Sequence, residues 1–210
     1  MYSICSLCFF CFHNMLKLLM VKEILQIGDP ILTKKTQRVK AVGDPKVKQI
    51  IEDLLDTCKK NADISAGLAA PQIGYDKSIC VCRRVDLEAQ TEEQLPEDKL
   101  WTVLINPTIE KSSKKTTLEW EACLSIGTGD DNLWGAVARP KQVRVKYTDI
   151  YGSEKTIMAT DYFGHIVQHE IDHLGGILFI SYITNPANLW RLEDLNDYID
   201  KHDEYPVVED

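Results

Sequence analysis

Five consecutive residues, His169-Glu170-Ile171-Asp172-His173, form an H-E-x-x-H sequence. On a helix, positions i and i+4 share one face, so both imidazoles can reach one metal ion. Glu170 follows the first imidazole. It can stand beside a metal-activated water, take its proton, and later give it to a leaving group. Phe163, Ile166, Val167, Ile171 and Leu174 make the rest of this helix apolar. Two histidines and two carboxylates on a mostly buried helix need partners, which favours a metal site over a chance pentapeptide.

A catalytic metal wants three protein ligands and one open position. One protease pattern would place a third histidine where this chain has Phe179, so that pattern fails. A second uses a glutamate further on, and Glu193 stands at that distance, among Asp194, Asp197 and Asp200. His165 lies four residues before His169. Three ligands in a line along one helix do not easily converge, so His165 is expected to line the site or pack. Cys123 is the remaining candidate. It follows a predicted strand and precedes the turn Gly127-Thr128-Gly129, a place from which a sulfur can enter a pocket. A third segment, Gly67-Leu68-Ala69-Ala70-Pro71-Gln72, is small and apolar with one polar side chain. Small residues let a backbone approach a ligand closely, and the Gln72 amide can point an N–H at a developing oxyanion.

These residues need elements to hold them. Asp44-Pro45 predicts a helix start, and Val47, Ile50, Ile51, Leu54, Leu55 and Cys58 recur at helical spacing over 45–60. Strands are expected at 78–85, 101–106, 114–120, 141–148 and 154–160. Val143, Val145 and Tyr147 alternate with Arg144 and Lys146, the pattern of a half-exposed strand. Further helices are expected at 162–174, stopped by Gly175-Gly176, and at 187–202. Residues 86–99 read as a solvated loop. Strands gathered around a few helices without βαβ alternation give an α+β class.

The chain has 210 residues and a formal net charge of −8, with 44% hydrophobic and 27% charged residues. That suits a globular protein with a sizeable core and argues against a general nucleic-acid binder. No apolar run reaches the roughly 20 residues that span a bilayer, so no stable membrane insertion is expected. Seven cysteines without disulfide-like regularity suggest a reducing compartment. Residues 1–20 form an apolar extension, either a targeting segment or the product of an upstream start. Cys5, Cys8, Cys11 and His13 within it lack the turn residues of a zinc knuckle. Residues 21–203 are expected to form one catalytic domain, and 204–210 an acidic tail.

Three segments together resemble the peptide deformylase family. They are Ser65-Ala66-Gly67-Leu68-Ala69-Ala70-Pro71-Gln72, Glu121-Ala122-Cys123-Leu124-Ser125 and Gln168-His169-Glu170-Ile171-Asp172-His173, in that order. The resemblance extends more weakly over about 21–182, through Gly28-Asp29-Pro30-Ile31-Leu32, Ile105-Asn106-Pro107 and Arg139-Pro140. It implies antiparallel strands packed around a central H-E-x-x-H helix, with a C-terminal helix. It implies removal of the formyl group from the N-terminal methionine of nascent chains. Cys123, His169 and His173 would then bind the metal, ferrous iron natively, with zinc, nickel or cobalt also suited to one thiolate and two imidazoles. Glu170 would move the proton, while the Gln72 side chain and the Leu124 N–H hold the oxyanion. Ala66, Gly67, Leu124, His165 and Ile166 would line the substrate pocket. Glu121 and Asp172 would steady the ligands, Asp172 by holding a histidine or a nearby basic group. A cytoplasmic location, or an organellar one in a eukaryotic host, and a transient ribosome contact go with that task.

The chain departs from the family pattern at a few positions. Ser65 and Ala122 replace glycines and would be strained if either needed φ > 0. His165 stands where the family has an apolar pocket residue. The segment 127–138 reads as a long loop whose Trp134 would stack on substrate or cover it. Other readings of the same residues are a zinc endopeptidase using Glu193, a hydrolase of another N-acyl substrate, and a catalytically silent binding protein.

Overall fold

Asp44 caps the first helix, its carboxylate accepting from the Lys46 N–H at 2.9 Å. Pro45 fills the first turn, where its missing N–H costs nothing. Helix α1 (Pro45–Lys60) then buries Val47, Ile50, Leu54 and Cys58 along one stripe. The structure, a computed structural model, describes residues 21–91 and 95–208. The extension 1–20 and the last two residues of the acidic tail lie outside the described residues.

Seven strands follow: β1 (Gly67–Ala69), β2 (Ile79–Arg83), β3 (Trp101–Ser112), β4 (Thr116–Ala122), β5 (Leu133–Pro140), β6 (Gln142–Thr148) and β7 (Glu154–Thr160). Helix α2 (Asp161–Gly175), β8 (Leu189–Arg191) and helix α3 (Leu192–His202) complete the order. The larger sheet runs β1-β2-β3-β6-β7 and the smaller runs β4-β5-β8, with every pairing antiparallel. Alternation along β2 explains how two helices use one sheet. Ile79 and Val81 join the core with α1, whereas Cys80 and Cys82 join the core with Phe163, Val167 and Leu174 of α2. A third core gathers Leu32, Cys123, Ile126, Val137 and Phe179 beside the smaller sheet. The H-E-x-x-H helix therefore lies between the two sheets, in an α+β fold.

Several boundaries differ from expectation. The strand expected at 101–106 continues to Ser112, and the one at 114–120 is shifted to Thr116–Ala122. Strand β5 begins inside the stretch read as a loop over 127–138 and runs two residues past it. Its sequence Leu-Trp-Gly-Ala-Val-Ala-Arg-Pro is poor in β-branched residues, and its order comes from neighbours on both sides. Strands β1 and β8 have three residues each, too few to leave an alternating pattern. The last helix starts at Leu192 rather than 187, because Leu189–Arg191 pairs with β5. Residues 86–99 are not wholly loop: Val85–Glu88 and Glu97–Leu100 form single helical turns.

Candidate active site

Three elements deliver the chemical residues to one place. Helix α2 brings His165, His169, Glu170 and His173, and the first, third and fourth of these are at most 4% exposed. Strand β1 passes so close that a Cβ on Gly67 would stand 2.5 Å from Glu170 Oε1. The next turn, Ala70–Ile73, ends at Gly74 with φ 83° and buries Gln72. The Gln72 side-chain oxygen Oε1 accepts from the Ala69 N–H at 2.8 Å, which leaves its Nε2 3.5 Å from Cys123 Sγ and 3.2 Å from Ser125 Oγ. Beyond β4 the chain turns through Cys123, Leu124 and Ser125. Gln26 fixes that turn: its amide donates to the Leu124 carbonyl at 2.9 Å, and its oxygen accepts from the Gly127 N–H at 3.2 Å. The Leu124 N–H donates to no acceptor among the described residues.

The donor atoms of Cys123, His169 and His173 lie within 4.8 Å of one another. Cys123 Sγ is 3.3 Å from His173 Nε2. His169 Nδ1 lies 2.8 Å from Glu121 Oε2, so Nδ1–H donates to the carboxylate and Nε2 is left free to ligate. One sulfur and two imidazole nitrogens, buried and convergent, fit a single divalent ion with bonds of about 2.0–2.3 Å. Glu193 is exposed in the first turn of α3 and takes no part. Phe179 stacks on His169 with ring centroids 6.1 Å apart, so its place in the sequence is filled by packing.

Glu121 is the hub behind the ligands. Arg139 reaches both of its oxygens, at 2.5 and 3.0 Å, and the His165 ring lies against Oε1. Burial alone would raise the Glu121 carboxyl pKa. His165, His169 and Arg139 outweigh burial and hold it well below the ordinary carboxylate range. Arg139 continues to Asp172 Oδ2 at 2.6 Å, and the Tyr182 hydroxyl donates to the same oxygen at 3.0 Å. Asp172 thus holds a basic group rather than a histidine. Arg139 is the residue that sequence reasoning missed. It was visible only beside Pro140 in the weaker part of the resemblance, and its guanidinium joins two carboxylates 51 residues apart. Gln26 left no sequence signal at all.

Burial pushes the Glu170 carboxyl up to about 7; the His169 charge opposes this and Glu121 adds to it. Glu170 Oε2 is buried with no hydrogen-bond partner among the described residues. Burial and the neighbouring His169 charge hold His173 well below its ordinary value, in the neutral form that ligates. A cavity of about 610 Å³ opens over these groups. Ala66, Gly67, Leu124, His165 and Ile166 all line it, together with Trp120 and Trp134.

The departures prove mild. Among the described residues, the left-handed ones other than glycine are Asn106, Asp161 and Asp203, so neither Ser65 nor Ala122 carries that strain. Ser65 is buried and donates to the Gly67 carbonyl at 2.9 Å. Trp134 belongs to the cavity wall, fixed in β5 opposite Ala122 and Trp190, and is not carried on a free loop.

Known proteins share this fold and part of this sequence. The family model described as polypeptide deformylase matches residues 21–188. A peptide deformylase of Microchaete diplosiphon is 38% identical over 167 residues, covering 80% of this chain and 81% of its own. The structure of a peptide deformylase from Synechococcus elongatus in complex with actinonin has TM-score 0.63 and 31% identity, over 89% of this chain and 87% of its own. A Met-Ala-Ser-bound class I type b peptide deformylase from Acinetobacter baumannii has TM-score 0.65 and 27% identity, over 77% of this chain and 98% of its own. A family match that spans all three site-bearing segments, with fold and donor set in agreement, places this chain in the peptide deformylase family.

Proposed function

We propose that this protein hydrolyses the N-formyl group from the terminal methionine of newly made polypeptides, releasing formate and a free amine. The single observation that carries the reading is Glu170. It is a buried carboxylate with an unpartnered oxygen, on the cavity floor beside Cys123, His169 and His173. A divalent ion bound by these three residues supplies Lewis acidity and lowers the pKa of water toward neutrality. Glu170 accepts a proton from water and returns it to the departing amine nitrogen. The Gln72 amide and the Leu124 N–H donate to the oxygen on which negative charge develops. Glu121 keeps His169 in the ligating tautomer, and Asp172 holds Arg139 against Glu121. The cavity side lined by Ala66, Gly67, Leu124, His165 and Ile166 receives the methionine and the first peptide bonds.

Ferrous iron is our assignment for the native ion; zinc, nickel and cobalt suit the same donors. We take residues 21–203 as one catalytic unit. Four free buried cysteines among the described residues support a reducing, cytoplasmic setting, with transient contact at the ribosome where the substrate emerges. No helix among the described residues is long and apolar enough to cross a membrane.

The test is deformylation of formyl-Met-Ala-Ser by protein prepared anaerobically with iron or nickel, beside Glu170→Ala. We expect turnover by the native protein and a loss of about 10²–10⁴-fold in the variant. Metal-loaded native protein without turnover would overturn the reading. An acetyl-Met peptide in the same assay separates this substrate from other N-acyl groups.

A further inference from the structure

The far wall of the cavity is built by residues that the proposed chemistry does not use. Trp120 and Ala122 share one side of β4, Ala122 stands opposite Trp134, and Trp134 stands opposite Trp190. The register therefore sets three of the chain's four tryptophans on one face of the smaller sheet. Trp120, Trp134 and Leu192 line the same cavity as Glu170 and Cys123.

The C-terminal arm holds this wall in place. Strand β8 pairs with β5, and the Leu192 N–H donates to the Asn132 carbonyl at 3.0 Å. Tyr198 of α3 packs edge-on against Trp190, with centroids 5.3 Å apart. Asp203, at φ 57°, ends α3 and turns the chain back. Tyr205 then stacks on Trp120, with centroids 5.5 Å apart and ring planes 20° from parallel, and Pro206 is buried beside it. The family match ends at residue 188, so Leu192 and Tyr205 lie outside it.

We propose that Trp120, Trp134 and Leu192 form a subsite for an apolar or aromatic side chain in the residues that follow the formyl-methionine, with Tyr205 as a positioning residue behind Trp120. The subsite is continuous with the floor of the cavity, so a peptide whose formyl group reaches Glu170 runs along this wall. Aromatic faces reward aromatic and aliphatic partners, and none of these side chains carries a positive charge to offset the desolvation of a carboxylate. The inference rests on the deformylase reading above.

The experiment compares formyl-Met-X-Ser and formyl-Met-Ala-X with X as Phe, Ser or Asp. The proteins are native, Tyr205→Ala, Tyr205→Phe and Leu192→Ala, each metal-loaded and checked for folding by circular dichroism. We expect the native protein to favour Phe over Asp by roughly two- to tenfold in kcat/KM in at least one series, carried by KM. Tyr205→Ala should shrink that ratio and Tyr205→Phe should keep it. If Tyr205→Ala does not fold, Leu192→Ala gives the same reading. Turnover of every peptide with no preference in either series would overturn the subsite while leaving the activity intact. Tryptophan fluorescence titration reads binding apart from turnover. Equal affinity for the Phe and Asp peptides would overturn the subsite even in a protein that turns nothing over.

Discussion

Gly67 and Glu121 govern the site without moving a proton or ligating the metal themselves. A methyl group at position 67 would meet Glu170 Oε1 at 2.5 Å and Cγ at 2.7 Å, so Gly67→Ala must displace the carboxylate. The metal ligands lie on other residues. Gly67→Ala should therefore keep its metal and lose at least about tenfold in kcat, since a displaced base forfeits part of a contribution of about 10²–10⁴. Metal content and kcat measured on one sample decide it, and an unchanged kcat would show that Glu170 has room to step aside. Glu121→Gln tests the other side of the ligands. It removes the charge that faces Arg139 and that keeps the proton on His169 Nδ1. Loss of such a partner typically costs 10–100-fold in metal affinity, so we expect about that loss in competition with a chelator. Breaking a buried ion pair also costs about 3–5 kcal/mol, softened here because Asp172 still holds Arg139. Native metal affinity in Glu121→Gln would mean that ring packing alone orients His169.

At the scale of elements, the end of α2 offers two adjacent glycines with opposite expectations. Gly175 is the last helical residue, and a Cβ there would meet only Ile177, at 3.8 Å. Gly176 has φ 77°, and a Cβ there would stand 2.6 Å from the Thr33 carbonyl carbon. Gly175→Ala should leave stability unchanged or raise it by about 0.5–1 kcal/mol, since alanine loses less entropy in a helix. Gly176→Ala should lower it by about 1–3 kcal/mol or more, through left-handed strain and collision with the backbone of Thr33 and Lys34. Urea midpoints of the two variants measure this, and equal midpoints would disprove it. The sequence showed where this helix stops because Gly-Gly is a local signal. It showed α1 for the same reason, through Asp44-Pro45 and an apolar stripe. Strand β5 was not legible. Gly135 and the alanines carry little strand preference, and a Cβ at Gly135 would stand 3.0 Å from Ile183, so the glycine serves close packing. Residues 189–191 continued the helical pattern of α3, and only pairing with β5 makes them a strand.

At the scale of the molecule, the candidate metal site joins parts that otherwise pack separately. Cys123 belongs to the core beside the smaller sheet, whereas α2, which carries His169 and His173, packs mainly on the larger one. The histidines and Glu170 were legible because one helical turn fixes their relation. Arg139 was not, because its role depends on β5 pairing beside β4 and facing α2. An ion held by all three ligands binds the folded chain and not the unfolded one, so it must add to stability. At a free concentration of 100 times Kd the gain is about 2.7 kcal/mol. For a chain of this size that corresponds to roughly 5–10 °C in Tm. Stripping the metal with a chelator should lower Tm by that amount, and restoring iron or nickel should recover it. Glu170→Ala should show the same shift, because its carboxylate is not among the three convergent donors. Cys123→Ala should lose most of the shift, since only imidazoles on a single helix remain. A chelator-insensitive Tm in the native protein, or a full shift in Cys123→Ala, would show that no ion spans β4 and α2.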